Sequence, residues 1–255
     1  MTAIGSDSAP GGRAITLMCG WLVAVVAGCD RSQPATVGDA TATTTPVAAS
    51  NFRFETSPGI VSADVCYRNG EETQRNAILE SLGGGAALCD FDRDGQLDLC
   101  CPGGGFVDDT VRGRPSRLLR QQGFDNFVDV SPAARLDDSV HYSHGCAAAD
   151  FDNDGFVDLL ITGYGGLTLW VNQGDGTFVD GTQSAGLADS SWSSSAAWGD
   201  LNGDGILDLY VAHYVNWSPD NNPPCDGPSG VPDVCPPRQF DGLDDTLYFG
   251  NGDGT

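Results

Sequence analysis

Three short segments of the chain carry aspartates at matching spacing, and they are its strongest candidates for chemistry. They read DFDRDGQLD from Asp90, DFDNDGFVD from Asp150 and DLNGDGILD from Asp200. Numbered from the first Asp, acidic residues occupy positions 1, 3, 5 and 9, except that the third segment has Asn202 at position 3. We name these segments loops 1, 2 and 3. Three copies of one pattern indicate an internal repeat and exclude coincidence.

This spacing suits a hard divalent cation. Ca²⁺ takes six to eight oxygen ligands, and carboxylates at alternate positions of a tight, glycine-bearing loop point toward one centre. The expected ligands are the side chains at positions 1, 3, 5 and 9 and the backbone carbonyl at position 7. In chain order they are Asp90, Asp92, Asp94, Gln96 and Asp98, then Asp150, Asp152, Asp154, Phe156 and Asp158, then Asp200, Asn202, Asp204, Ile206 and Asp208. The sequence therefore predicts Ca²⁺ as a cofactor, with about three sites.

Two other interpretations of the loops are weaker. EF-hand and dockerin loops have their last ligand at position 12 and lie between helices. Position 12 here is Cys101, Ile161 or Val211, none of which offers a carboxylate, and the flanking residues resemble strands. Solvated Asp-Gly hairpin turns need no metal, but they give no reason for one four-position pattern in three copies.

The loops belong to repeating units of about 50 residues. Apolar residues lie on both sides of each loop, and a glycine hairpin follows, with a further strand starting at Phe127 or Phe178. Four short strands in each unit predict an all-β fold, a β-propeller of four-stranded blades over residues 51–255. About three blades are present, whereas propellers have roughly 4 to 8, so we expect an incomplete ring and a fragment of a longer protein. A strand-like segment that starts at Phe52 is expected to complete the last blade of the ring.

The loops, together with the hairpin sequence NQGDGTF from Asn172 to Phe178, resemble the FG-GAP and VCBS repeat families. These families form the calcium-binding blades of integrin α-subunits and of cartilage-acidic-protein-like bacterial proteins. The resemblance implies a propeller, usually of about seven blades, with Ca²⁺ in outward-lying loops and ligands bound on one face. The chain departs from the family pattern at Asn202, which lowers the charge of loop 3, and at residues 124–126, where FDN replaces the usual GDGT.

The amino-terminal region predicts export. An apolar run at residues 15–28 follows Arg13 and is too short to span a bilayer comfortably. It ends in VAGC, which resembles the lipobox of bacterial lipoproteins. We interpret residues 1–28 as a lipoprotein signal peptide and Cys29 as the lipidated residue, with ordinary secretion and an uncleaved anchor as alternatives. Residues 29–50, rich in Thr, Ala and Pro, are expected to form a disordered tether. The protein would then be a membrane-anchored lipoprotein that faces the periplasm or the cell exterior.

The net charge of the chain limits the kinds of molecule it can bind, and its cysteines indicate the cellular compartment in which it folds. Acidic residues outnumber basic ones 35 to 12, a net charge of -23, which makes nucleic acid and anionic lipid surfaces unfavourable partners. Membrane contact is therefore expected only through the lipid anchor. Cys225 and Cys235 lie within a Pro-rich insertion at about residues 216–245, and we expect them to form a disulfide. We expect this insertion to face a ligand, because binding residues concentrate on loops.

The sequence offers little for catalysis. It contains no GxSxG, Walker or CxxC motif, and a zinc cluster of His141, His144 and His213 with a cysteine is a much weaker alternative to the aspartate loops. We therefore expect a calcium-binding extracytoplasmic propeller that is not an enzyme. It would act as a binding, adhesion or scaffolding surface for a protein or carbohydrate ligand. The alternative is a non-catalytic propeller part of a larger secreted enzyme.

Overall fold

The computed structural model describes residues 67–138 and 141–255. The predicted signal peptide, the lipidated Cys29, the tether and the strand at Phe52 lie outside the described residues. Inside them, no helix is long and apolar enough to cross a membrane. The all-β prediction is confirmed, because the described residues form antiparallel sheets joined by turns and short 3-10 helices.

Blade 1 contains four strands and an additional hairpin. In chain order the strands are β1 (Ala87–Cys89), β2 (Asp98–Cys101), β3 (Gly105–Val107), β4 (Val111–Gly113), β5 (Arg117–Gln121) and β6 (Phe127–Asp129). The sheet order is β1-β2-β5-β6, and β3 pairs with β4 in a separate hairpin. Loop 1 joins β1 to β2, with Cys89 opposite Asp98 in the ladder.

Blade 2 has four strands, which pair in the order of the chain. They are β7 (Tyr142–Ala149), β8 (Asp158–Tyr164), β9 (Gly166–Asn172) and β10 (Phe178–Asp180). Loop 2 joins β7 to β8. Strand β8, with the sequence DLLITGY, is buried over almost its whole length. Burial on both faces explains why Leu159, Leu160 and Ile161 form an uninterrupted apolar run and not an alternating pattern.

Blade 3 and its insertion contain the last five strands. They are β11 (Ser193–Gly199), β12 (Asp208–His213), β13 (Cys225–Asp226), β14 (Pro232–Asp233) and β15 (Thr246–Tyr248). The blade sheet has the order β11-β12-β15, and loop 3 joins β11 to β12. The sequence predicts about four strands in each unit, whereas this sheet has three strands among the described residues.

The blades pack face to face through two apolar cores. Between blades 1 and 2, the rings of Phe91 and Phe178 lie 6.1 Å apart, and the Phe178 amide donates to the Ala134 carbonyl at 3.0 Å. Alternate side chains of β8 point to opposite faces of blade 2. Leu159 packs in the core shared with blade 1, and Leu160 packs in the core shared with blade 3. This alternation is the period of two that a strand imposes.

A third core lies at the ends of the strands that are remote from the loops. Tyr142, at the start of β7, packs there with Trp192 and with three residues from the third-repeat insertion. Those three residues are Trp217, Cys235 and Phe240. The insertion also contains the β13-β14 hairpin, and the Cys225–Cys235 disulfide, with an S–S distance of 2.04 Å, joins the two cysteines that the sequence analysis pairs.

Candidate metal centre

All three loops adopt the same backbone turn. At position 6, Gly95, Gly155 and Gly205 have φ angles of 85°, 92° and 87°, in the left-handed region that glycine adopts without strain. Their amides donate to Oδ2 of the position 1 aspartate at 2.9 Å in each loop. Side chains at positions 3 and 5 accept from the amide two residues later, as Asx turns do. The acidic side chains therefore fix the backbone of their own loop.

The position 9 aspartate fastens each loop to its blade. Asp98, Asp158 and Asp208 are at most 2 % exposed, and each carboxylate accepts two backbone amides. The position 2 amide donates to Oδ2 at 3.2, 3.2 and 2.8 Å. An amide of the following hairpin donates to Oδ1 at 2.9, 2.8 and 3.1 Å. Burial raises the pKa of Asp98 to about 6 and the pKa of Asp158 to about 7, because desolvation disfavours the charged carboxylate.

Positions 1, 3 and 9 converge in loops 1 and 2. In each loop, one oxygen from each of these three aspartates lies within 4.8 Å of the other two. The two groups are Asp90, Asp92 and Asp98, and Asp150, Asp152 and Asp158. Three carboxylates this close repel one another unless a cation lies between them.

The side chains at positions 5 and 7 make contacts of their own. Asp94 and Asp154 lie outside these two groups, are exposed, and use Oδ1 to accept the position 7 amide at 2.9 and 2.8 Å. The position 7 side chains meet a glycine of the next hairpin. In loop 1, Gln96 Oε1 accepts the Gly123 amide at 2.6 Å. The Phe156 ring and the Ile206 side chain lie beside the equivalent glycines in the second and third repeats.

Loop 3 differs from the other two. With Asn202 at position 3, it contains no group of three converging acids among the residues that the structure describes. The Asn202 amide donates to Asp204 Oδ2 at 2.8 Å. Asp200 Oδ1 accepts the amides of Gly203 and Asp204 at 2.6 and 3.1 Å. Because its polar atoms satisfy one another and its charge is lower, loop 3 is the weakest of the three candidate sites.

The donor set of loop 2 fits a hard cation. Asp150 Oδ1 is buried and has no hydrogen-bond partner, whereas the equivalent oxygen of Asp90 accepts the Asp94 amide at 3.0 Å. A buried carboxylate oxygen without a partner is costly, and a cation would supply the missing interaction. Ligands that are all carboxylate oxygens suit Ca²⁺ better than a soft metal. Asp150, Asp152 and Asp158 would therefore hold the ion.

A basic side chain that the sequence analysis missed enters loop 1. Arg120 of β5 lies with its Nε 2.6 Å from Asp92 Oδ2, and its Nη2 donates to Asp94 Oδ2 at 3.1 Å. Hydrogen bonds from the Gln96 amide and from Arg120 lower the pKa of Asp94. A comparison of the hairpin strands, LLRQ at 118–121 and LWVN at 169–172, contains the only sequence signal for this contact.

Asn172 is a second residue whose role emerges only from the structure. It is 1 % exposed, and its Nδ2 donates to the Phe91 carbonyl of loop 1 at 2.9 Å and to the Val157 carbonyl of loop 2 at 3.1 Å. Its Oδ1 accepts the Gly174 amide at 3.0 Å. One side chain therefore joins loops 1 and 2 across the boundary between their blades.

Comparison with known proteins agrees with this architecture. A family model described as an FG-GAP-like repeat matches the chain twice, at residues 90–161 and 150–211. Each match begins at position 1 of one loop and continues into the strand that follows the next loop. No curated protein matches the chain. Repeats of this family are typical of extracellular proteins and generally form non-catalytic domains. Residues 90–211 of the chain therefore consist of FG-GAP-like repeats.

Proposed function

We propose that this chain is a calcium-stabilised, extracytoplasmic set of propeller blades that acts as a binding surface. The proposal is carried by the group of Asp150, Asp152 and Asp158, in which Asp150 Oδ1 is buried without a hydrogen-bond partner. The match to the repeat family supports it. The Cys225–Cys235 disulfide also supports it, because structural disulfides persist in oxidising, extracytoplasmic compartments.

Calcium would act on stability and not on a reaction. In loop 2 the ion would remove the repulsion among three carboxylates and would satisfy the orphaned oxygen of Asp150. A cation that binds only the folded state raises the free energy of unfolding by about 2.7 kcal/mol when its concentration is about 100 times Kd. We therefore expect calcium to raise the melting temperature and to make it dependent on the calcium concentration.

The experiment for this proposal is a calorimetric titration of the purified chain with Ca²⁺, combined with melting curves in EDTA and in excess Ca²⁺. Binding and a higher melting temperature in Ca²⁺ are expected. D152N should lose the loop 2 contribution. D137N, which changes an exposed acid outside the loops, is the matched control and should behave as wild type. A folded protein that binds no Ca²⁺ would contradict the proposal.

The third-repeat insertion, residues 216–245, is the candidate ligand surface. It follows the end of β12 that is remote from loop 3, and buried Trp217, Cys235 and Phe240 fasten it to the blade core. Its β13-β14 hairpin is exposed, and Val231 at the turn is 59 % exposed. A loop that is already held rigid loses little conformational entropy when it binds a protein or carbohydrate partner.

A hairpin replacement tests this surface. Residues 226–234 would be exchanged for a short Gly-Ser linker, and binding to a glycan array and cross-linking to intact cells would be compared with wild type. The exchange should reduce binding while leaving the calcium titration unchanged. Equal binding by both proteins would exclude the insertion as the ligand surface.

Localisation through Cys29 is part of the same proposal. Signal peptide cleavage after residue 28 would expose Cys29 for lipidation, and the chain would then face the periplasm or the cell exterior. Metabolic labelling with an alkynyl fatty acid should mark the wild-type protein and leave C29A unlabelled. Equal labelling of both proteins would exclude Cys29 as the anchor.

A further inference from the structure

Loops 1 and 2 have the same turn and the same three converging acids, but they differ in one neighbour. Equivalent sequences lie in the hairpins of the three blades: LLRQ from Leu118 in β5, LWVN from Leu169 in β9, and LYFG from Leu247, which begins in β15 and extends two residues beyond it. The third residue of each is Arg120, Val171 or Phe249. Only loop 1 therefore has a cationic side chain at this position.

Arg120 makes contact with two of the acids in loop 1. Its Nε lies 2.6 Å from Asp92 Oδ2, and its Nη2 donates to Asp94 Oδ2 at 3.1 Å. The Arg120 side chain is 38 % exposed, and the side chains of Asp92 and Asp94 are 17 % and 24 % exposed. The three side chains are therefore partly exposed, although Arg120 Nε itself is buried and makes no hydrogen bond. An ion pair between partly exposed side chains is weak enough to be exchanged.

Loop 2 has no such partner. Among the described residues, no ion pair reaches Asp150, Asp152 or Asp158. The Arg93 guanidinium does contact loop 2, but it lies over the Phe156 ring, 5.1 Å from the ring centroid. The unpartnered Oδ1 of Asp150 also lies in this loop, whereas the equivalent oxygen of Asp90 in loop 1 accepts the Asp94 amide.

The geometry points to Arg120 as an internal counter-cation of loop 1, which Ca²⁺ must displace from Asp92 before it can bind there. Loop 2 then binds Ca²⁺ first, and loop 1 binds it at higher concentration. This inference rests on the proposed calcium-binding function and adds an order of affinity to it. Two ion-pair contacts between partly exposed side chains should weaken calcium binding at loop 1 by about 10-fold.

A reciprocal exchange between the two repeats tests the inference in the full chain. R120V gives loop 1 the valine of the second repeat, and V171R gives loop 2 the arginine of the first. Each is combined with a variant that disables the other loop, D152N for R120V and D92N for V171R. Calorimetric titration with Ca²⁺ should show an affinity about 10-fold higher for R120V/D152N than for D152N, and about 10-fold lower for V171R/D92N than for D92N.

A second variant guards against a packing effect of valine on the strand. R120Q removes the charge, keeps a polar side chain of similar length and should also raise the affinity of loop 1. Melting curves in EDTA verify that each variant is folded. If R120V and R120Q leave the loop 1 affinity unchanged, Arg120 is not a competitor and the inference is overturned. If no folded variant binds Ca²⁺ at all, the proposed function itself fails, which is a distinct result.

Discussion

The position 9 aspartates should stabilise the fold even without a cation, and Asp158 offers the sharpest test. In D158A, the amides of Phe151 and Asn172 lose acceptors that lie 3.2 and 2.8 Å away. Each buried donor left without a partner costs about 1–3 kcal/mol, so the free energy of unfolding should fall by about 2–6 kcal/mol. That is a large share of the roughly 5–15 kcal/mol typical of a folded domain.

Urea unfolding in EDTA measures this loss without a contribution from metal. The matched control is D154A in the same loop, which removes an exposed acid and only one hydrogen bond, to the Phe156 amide at 2.8 Å. Its cost should be about 1 kcal/mol. D158N retains one acceptor oxygen and should fall between the two. If D158A in EDTA unfolds at the wild-type urea concentration, the two backbone bonds contribute nothing net and the reasoning is refuted.

Three further predictions concern other parts of the chain. Burial lowers the pKa of His144 to about 3, against about 6.5 in the unfolded chain. As the pH falls below 6.5, the unfolded state takes up this proton first, and stability drops by up to about 1.4 kcal/mol per pH unit. Melting in EDTA between pH 7 and 4.5 should depend less on pH in H144N, and an equal slope in both proteins would exclude this origin. G155A forces alanine to a φ of 92°, and the free energy of unfolding should fall by about 1–2 kcal/mol. The control G83A changes a glycine with open space around it and should have the melting temperature of the wild type. Equal melting temperatures for both variants would contradict backbone strain at Gly155. C225A/C235A should speed proteolysis inside the insertion, because the disulfide closes that loop, and unchanged cleavage would mean that packing alone holds it.

The parts of the fold that follow from local patterns could be predicted from the sequence. The spacing of the aspartates predicts the turn because each side chain bonds to the backbone within five residues of itself. The apolar runs after the loops predict strands such as β8, and the spacing of Cys225 and Cys235 predicts the bond that closes the insertion. These features require no knowledge of what packs against them.

The parts of the site that the sequence could not predict depend on residues that are far apart in the chain. Arg120 reaches Asp94 from a strand 26 residues away, and Asn172 reaches Phe91 across 81 residues. The sequence pattern does not distinguish the acids at positions 1, 3, 5 and 9, but the structure buries them to different extents. Position 9 lies under the loop, bonded to backbone on both sides, whereas Asp94 at position 5 lies at the surface, with its side chain 24 % exposed, and caps a turn.

These long-range bonds couple the loops unequally along the chain. The Asn172 amide donates to Asp158, its side chain donates to the Phe91 carbonyl, and the Phe91 amide donates to Asp98. The position 9 aspartates of loops 1 and 2 are therefore connected through only two residues. At the boundary between blades 2 and 3, the residue equivalent to Asn172 is Gly250, which has no side chain to make the bridge. Because the stability of a repeat array depends on the interfaces between neighbours, a cation in loop 2 should stabilise blade 1 more strongly than blade 3.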